Sequence, residues 1–187
     1  SEGYCLFLNA GNVTKNGFMF DAVSFISKER DELLRKGKLK INDIILTSRG
    51  TVGNIGYYSK EIEYPHIRIN SGMLIFRCLL DNTSLFFYYL VRSGYFKNEI
   101  KKNLSGSAQP QLPIRDIKKI FIIIPNPKII KEFNRIASAL QVKIDLQNRH
   151  NRLLEKLRNL KLSKLSKIEN LYEIHWSKIR KSGYRII

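Results

Sequence analysis

The sequence is poor in the residue types that build metal, redox and hydrolytic centres. It has two cysteines and three histidines in 187 residues. Cys5 and Cys78 are lone thiols in apolar contexts with no metal or redox spacing, which argues against a disulfide framework. His66, His150 and His175 have no carboxylate or cysteine at ligand spacing, which argues against a metal centre. Acidic residues are scarce, 16 against 33 basic ones. No apolar run approaches the ~20 residues that cross a bilayer. Ser1-Glu2-Gly3 is not the positively charged start of a secretory leader, so the expected compartment is the cytoplasm. Proline and glycine are missing from residue 128 to residue 182, so nothing there punctuates a helix.

What is present is positive charge, a net +17. Residues 1–126 hold 18 basic and 11 acidic side chains, and residues 127–187 hold 15 and 5. A field of that sign favours a polyanion, either nucleic acid or an anionic membrane surface. The bland alternative is the lysine-rich codon usage of an AT-rich genome. Hydrophobic content of 43% supports a real core, and the length suits one ordinary domain plus an extension.

Local patterns predict an α+β fold. Tyr4–Leu8 and Asp43–Thr47 read as strands, as do Ile55–Tyr58 and a kinked Arg68–Cys78 broken at Asn70-Ser71-Gly72. Asn9–Asn12 and Lys15-Asn16-Gly17 are turn clusters. Ser27 caps a short helix whose acids, Glu29, Asp31 and Glu32, sit at its positive end. Gly50, Gly53 and Gly56 permit positive φ or close backbone approach. Helical segments follow from Thr83 to Val91 and from Tyr95 to Leu104, and Phe86–Tyr89 is expected to be core rather than a base-stacking platform. Pro113 opens a short turn, and Ile120–Pro125 reads as a buried strand. This stretch, from Ser105 to Pro125, joins a mixed domain (1–126) to a long helix (127–170) and a tail (171–187).

The helix carries an apolar stripe at Phe133, Ile136, Ala137, Leu140 and Ile144. After a phase slip it continues through Leu146, His150, Leu153, Leu157 and Leu160, with Leu165, Ile168 and Tyr172 beyond. About 40 residues would span roughly 60 Å, more than a small domain can cover, so a partner helix is expected. A helical hairpin folding back near Gln147–Asn151 is the alternative.

No catalytic constellation emerges. The glycine series at 50, 53 and 56 has the wrong spacing for a dinucleotide loop and runs from strand to strand. Pro125-Asn126-Pro127 resembles the Asn-Pro-Pro-aromatic loop of adenine methyltransferases in part, but it lacks the second adjacent proline and the stacking aromatic. Glu99-Ile100-Lys101 has the Glu-x-Lys form of many nucleases, yet no Pro-Asp strand precedes it. What remains is binding chemistry. Lys101, Lys102 and Arg115 flank a loop carrying Gln109 and Gln111, and glutamine can pair with adenine in the major groove. Arg49 and Arg68 lie in or beside glycine-containing bends, where backbone can approach phosphate. Each alone is also an ordinary surface residue.

Asp43-Ile44-Ile45-Leu46-Thr47-Ser48-Arg49-Gly50-Thr51-Val52-Gly53, then Gly106-Ser107-Ala108-Gln109-Pro110-Gln111-Leu112, then Ile120–Pro125 and a long helix, resembles in this order the DNA-specificity (S) subunit of type I restriction–modification systems. The resemblance covers most of residues 1–165. It implies a target-recognition domain that reads half of a split double-stranded DNA target. It also implies a helix that pairs antiparallel with that of a second recognition domain. Methyltransferase (M) subunits would dock on the helices, with restriction (R) subunits joining them. It implies no catalytic site in this chain, with S-adenosylmethionine, ATP and Mg confined to partner subunits. Because relatives with different targets share the glycine bend and the 106–112 loop, Arg49, Gln109 and Arg115 are expected to hold structure or phosphate. Base reading is then expected from Asn12–Asn16, with Lys15, and from Lys60–Arg68.

Set against the family pattern, the sequence is expected to hold one recognition domain, with the usual opening strand and helix missing or shortened before Tyr4, and it has Lys131-Glu132 where Glu-Gln is common. The resulting expectation is a half-subunit, two copies pairing through Phe133–Leu165. Two alternatives stay open. One is the recognition region of a fused restriction–methylation enzyme. The other is a helical scaffold that binds nucleic acid without sequence preference.

Overall fold

A computed structural model describes residues 3–105 and 110–181, with side chains through Lys167. The chain divides into two units at Val142/Lys143. The first is α+β. Strand β1 (Cys5–Leu8) lies between β4 (Phe25–Ile26), antiparallel, and β7 (Ile67–Ile69), parallel. Strand β5 (Ile44–Thr47) lies between β6 (Ile55–Tyr57) and β8 (Met73–Phe76), both antiparallel. Strands β2 (Val13–Thr14) and β3 (Gly17–Phe18) form a separate hairpin. Helices α1 (Lys28–Leu33), α2 (Ser84–Val91), α3 (Gly94–Lys102), α4 (Ile114–Ile117) and α5 (Pro127–Lys181) complete the order.

The kinked strand read at Arg68–Cys78 is two strands in two sheets. At Asn70-Ser71-Gly72 the Asn70 side chain accepts from the Gly72 amide at 2.9 Å. The corner carries the chain from β7 beside β1 to β8 beside β5. Strand β5 explains its own uninterrupted hydrophobicity. Successive side chains point to opposite faces. Ile45 enters one core with Leu6, Leu8, Val13, Ile67 and Met73, while Ile44 and Leu46 enter another with Ile55, Tyr88, Val91, Phe96 and Leu112.

The expected strand at Ile120–Pro125 does not form. Ile120 and Ile122 pack on the second core, but Phe121 and Ile123 are 86% and 85% exposed, and no strand pairs with the segment. Alternation is there without a sheet edge to receive it. Pro113 precedes the α4 turn as its cap rather than starting it.

Two side chains expected at DNA are structural instead. Arg68 is 6% exposed. Its Nε donates to the Asp31 carboxylate, its Nη2 to the Asp31 carbonyl at 2.6 Å and its Nη1 to the Lys36 carbonyl at 2.7 Å. Lys38 holds the other Asp31 oxygen. A charge on a strand can be buried only when so completely paired. Asn12 is 3% exposed. Its Nδ2 donates to the Met19 and Ala22 carbonyls at 3.1 and 2.7 Å, and its Oδ1 accepts from the Asn9 amide at 3.0 Å.

In the first unit α5 has two apolar stripes. Ile130, Ala137 and Gln141 are buried. Phe133 sits edge-on to Phe86 at 5.5 Å, and Tyr89 Oη donates to Gln141 Oε1 at 2.9 Å. Phe133 and Ala137 therefore face their own domain, not a partner helix. Ile136 and Leu140 remain 54% and 55% exposed. In the second unit residues 147–151 are helical, so no hairpin forms there. Ile144, Leu153, Leu157 and Leu160 are 45–61% exposed, and His150 is exposed.

Removing the Arg68 guanidinium leaves Asp31 buried with half its partners. Arg68→Met should destabilise the fold by about 3 kcal/mol or more in urea unfolding. Burial pushes the Asp31 carboxyl up, but the hydrogen bonds from Lys38 and Arg68 outweigh it and hold it down at about 2, against an ordinary 3.8. With the folded value below the unfolded one, this stabilisation is complete above about pH 4 and is lost as pH falls towards 2. The urea midpoint should drop across that window, and Asp31→Asn should flatten the drop.

Candidate nucleic-acid interface

The sheet connections place several loops at one end of the first unit. Thr47 ends β5 opposite Met73, which opens β8, while β6 begins at Ile55. The bend from Ser48 to Asn54, the Asn70–Gly72 corner and the end of β7 therefore converge. Gly50 and Gly53 have φ of 72° and 95°, a conformation that costs a residue with a Cβ. Gly56 serves differently. A Cβ there would lie 2.9 Å from the Phe18 ring, so its bareness lets the β2–β3 hairpin close onto β6.

Hydrogen bonds join these loops. Asn54 Nδ2 donates to the Val13 carbonyl at 2.8 Å, fixing the hairpin to the bend. The Leu112 amide donates to the Ser48 carbonyl at 2.9 Å, and Arg49 bridges Gln111 in antiparallel fashion. Gln111 also exchanges backbone bonds with Ser105 at 2.8 and 2.9 Å. The loop containing Gln109 is thereby tied at its base to the bend containing Arg49. Gln109 itself lies outside the described residues.

Arg49 and Gln111 are thus brought to one end, with the base of the β2–β3 hairpin tied to the same bend. Lys15 and Asn16 at the hairpin tip and Arg49 are exposed, and Gln111 is half-buried. Lys101 and Lys102 end α3, four and three residues before Ser105. Lys102 pairs with Glu99 at 2.7 Å, which raises its pKa, yet its side chain is 70% exposed. Arg115 is 81% exposed beside Asp116 at 3.6 Å. Such surface pairs are weak and leave both cations open to another anion. Lys60 is different. It follows β6 at its far end, between Ser59 and Glu61, where Tyr58 Oη donates to the Tyr64 carbonyl at 2.7 Å. Lys60 and Arg49 lie at opposite ends of β6.

Arg92 and Asn54 carry roles that sequence reasoning missed. Arg92 Nη1 donates to Tyr88 Oη at 2.6 Å, its guanidinium lies 5.1 Å from the Tyr88 ring centroid, and Nη2 donates to the Lys15 carbonyl at 3.3 Å. It is the first charge after the uncharged α2 run, a position that suits a helix C-terminus. That signal points to a cap but not to a contact 77 residues away. Among the described residues no group of His, Cys, Asp and Glu is arranged to hold a metal ion, and no helix is long and apolar enough to cross a membrane.

The MjaVIII specificity subunit of a type I restriction enzyme from Methanocaldococcus jannaschii is 28% identical over 174 residues, covering 88% of this chain and 40% of that protein. The MjaIX specificity subunit from the same organism is 29% identical over 104 residues, covering 56% and 24%. The crystal structure of the HsdS subunit from Thermoanaerobacter tengcongensis shares the fold with a TM-score of 0.50 at 13% identity, over 98% of this chain and 45% of that one. The chain thus spans less than half the length of each of these relatives. Residues 2–157 match the type I restriction modification DNA specificity domain, and the chain belongs to that family.

Proposed function

We propose that this chain reads half of a bipartite double-stranded DNA target as the specificity component of a type I restriction–modification complex in the cytoplasm. In this reading it is non-catalytic. M and R subunits supply the chemistry with S-adenosylmethionine, ATP and Mg, and none of these is needed by the chain itself. The observation that carries the reading is the bend presenting Arg49, bridged to Gln111 and bonded through Asn54 to the hairpin that bears Lys15, with Lys101, Lys102 and Arg115 exposed on the elements flanking Ser105–Leu112. Phosphate contacts of this kind fix register on a duplex, while sequence is read by fewer groups at the base edges.

Exposed apolar residues, Ile136 and Leu140 in the first unit and Ile144, Leu153, Leu157 and Leu160 in the second, support pairing with a second copy or with another S half as an antiparallel coiled coil. A half-exposed leucine on a solvated helix gains about 1 kcal/mol from completing its burial. Several at heptad spacing suffice for a stable pair.

Binding should weaken steeply with salt. Arg49→Ala should reduce the slope of log affinity against log salt by about 1, while Lys60→Ala, at the other end of β6, leaves it unchanged. A split duplex recovered by selection should outcompete random DNA and RNA; equal competition would favour the non-specific scaffold. Sedimentation should show a dimer at micromolar concentration, and the double substitution Leu153→Asp, Leu157→Asp should yield monomer. A wild-type monomer at high micromolar concentration would sink the pairing.

A further inference from the structure

We infer that the β2–β3 hairpin is a base-reading finger that enters the major groove, with Asn16 specifying an adenine and Lys15 anchoring an adjacent phosphate. This deepens the reading above and rests on it.

The hairpin is short and built to be rigid. Val13 pairs with Phe18 and Thr14 with Gly17, leaving Lys15 and Asn16 as a two-residue tip. Thr14 Oγ1 donates to the Gly17 carbonyl and accepts from the Asn16 amide, both at 3.1 Å, so the turn backbone is satisfied from within. Two clamps hold the base and a third holds the backbone of the tip. The buried Asn12 amide spans to Met19 and Ala22, Asn54 holds Val13, and Arg92 holds the Lys15 carbonyl. Strands too short to stand alone are thus fastened on three sides, and a pre-organised contact loses less entropy on binding.

The tip is the only part of the finger left over. Among the described residues, the side chains of Lys15 and Asn16 are exposed and take no part in a hydrogen bond or ion pair. A solvated Lys-Asn turn is ordinary. A solvated turn clamped at three points by buried or committed polar groups is not needed for turn stability alone. A two-stranded ribbon fits the major groove, and an asparagine there can donate to adenine N7 and accept from N6. The neighbouring ammonium suits a phosphate as a point charge.

The test is selection of bound duplexes from a random library by the full chain, with sequencing of what is recovered. Wild type should enrich a motif containing an adenine that Asn16→Ala relaxes by about tenfold or more, the other positions staying fixed. Asn16→Asp, an acceptor only, should shift that position towards cytosine, whose N4 donates. Lys15→Ala should weaken all sequences alike and flatten the salt slope by about 1. Thermal melting of each variant should match wild type, since both side chains are solvated. If Asn16→Ala and Asn16→Asp enrich the wild-type motif unchanged, the finger is refuted while the chain remains a DNA reader. If wild type enriches no motif at all, the proposed function fails and the finger with it.

Discussion

Strand β5 is buried on both faces, and the rest of the first unit depends on it. A strand with two apolar faces needs two cores. The chain builds one from β1, β7 and the base of the hairpin, and the other from α2, α3 and the segments after Gln111. Satisfying both forces the corner at Asn70–Gly72, because the chain must leave the sheet of β1 and β7 to reach the far side of β5. The same geometry sends the bend after β5, the corner before β8 and the loop ending at Leu112 to one end. The candidate interface therefore follows from how β5 is covered, and its cations ride on loops whose positions the cores have already set.

Charge is used in two ways that composition cannot separate. Arg68 and Lys38 are spent on one buried carboxylate, and Arg77 holds Asp43, which is 1% exposed, through Nε at 2.8 Å and Nη2 at 2.6 Å. These pairs fix α1 and the start of β5 rather than contributing to a surface field. Burial is also the main reason Cys5 is pushed up to about 11, with its hydrogen bond to Asp31 adding to the rise. Its thiol stays protonated and inert at neutral pH. The net charge thus overstates how many cations are available, and placement, not number, makes Lys15 and Arg49 distinctive.

What was legible in the sequence was local. The Ser27 cap, accepting from the Arg30 amide at 3.2 Å, needs only neighbouring residues. So do the Gly50–Gly53 bend, the β5 run and the breaks around α2 and α3, and all are found where the patterns put them. What was not legible depended on distant partners. Arg68 looks like any arginine beside a glycine-containing bend until Asp31, 37 residues earlier, is placed against it. Asn12 belongs to a turn cluster that predicts exposure, and only the folded loop shows its amide turned inward. At Ile120–Ile124 a continuous apolar run reads as a buried strand, whereas in the fold its burial alternates and no strand forms. Period-two burial requires only one core face, whereas a strand also requires a free edge beside it.

The helix shows the same limit in a different form. Phe133 and Ala137 are spaced i, i+4, as are Ile136 and Leu140, and periodicity alone merges the two pairs into one broad stripe. The structure separates them by what each meets. The aromatic face of α2, through Phe86 and Tyr89, takes Phe133, and Tyr89 reaches Gln141. A helix fastened to its domain by one stripe cannot rotate that stripe towards a partner without exposing two aromatic contacts. The stripe left over, through Ile136 and Leu140, is therefore fixed in direction by the domain's own packing. The direction of that stripe is set by the half-buried Phe133 and the buried Ala137 and Gln141, so changes at those three positions would redirect it without touching its own side chains.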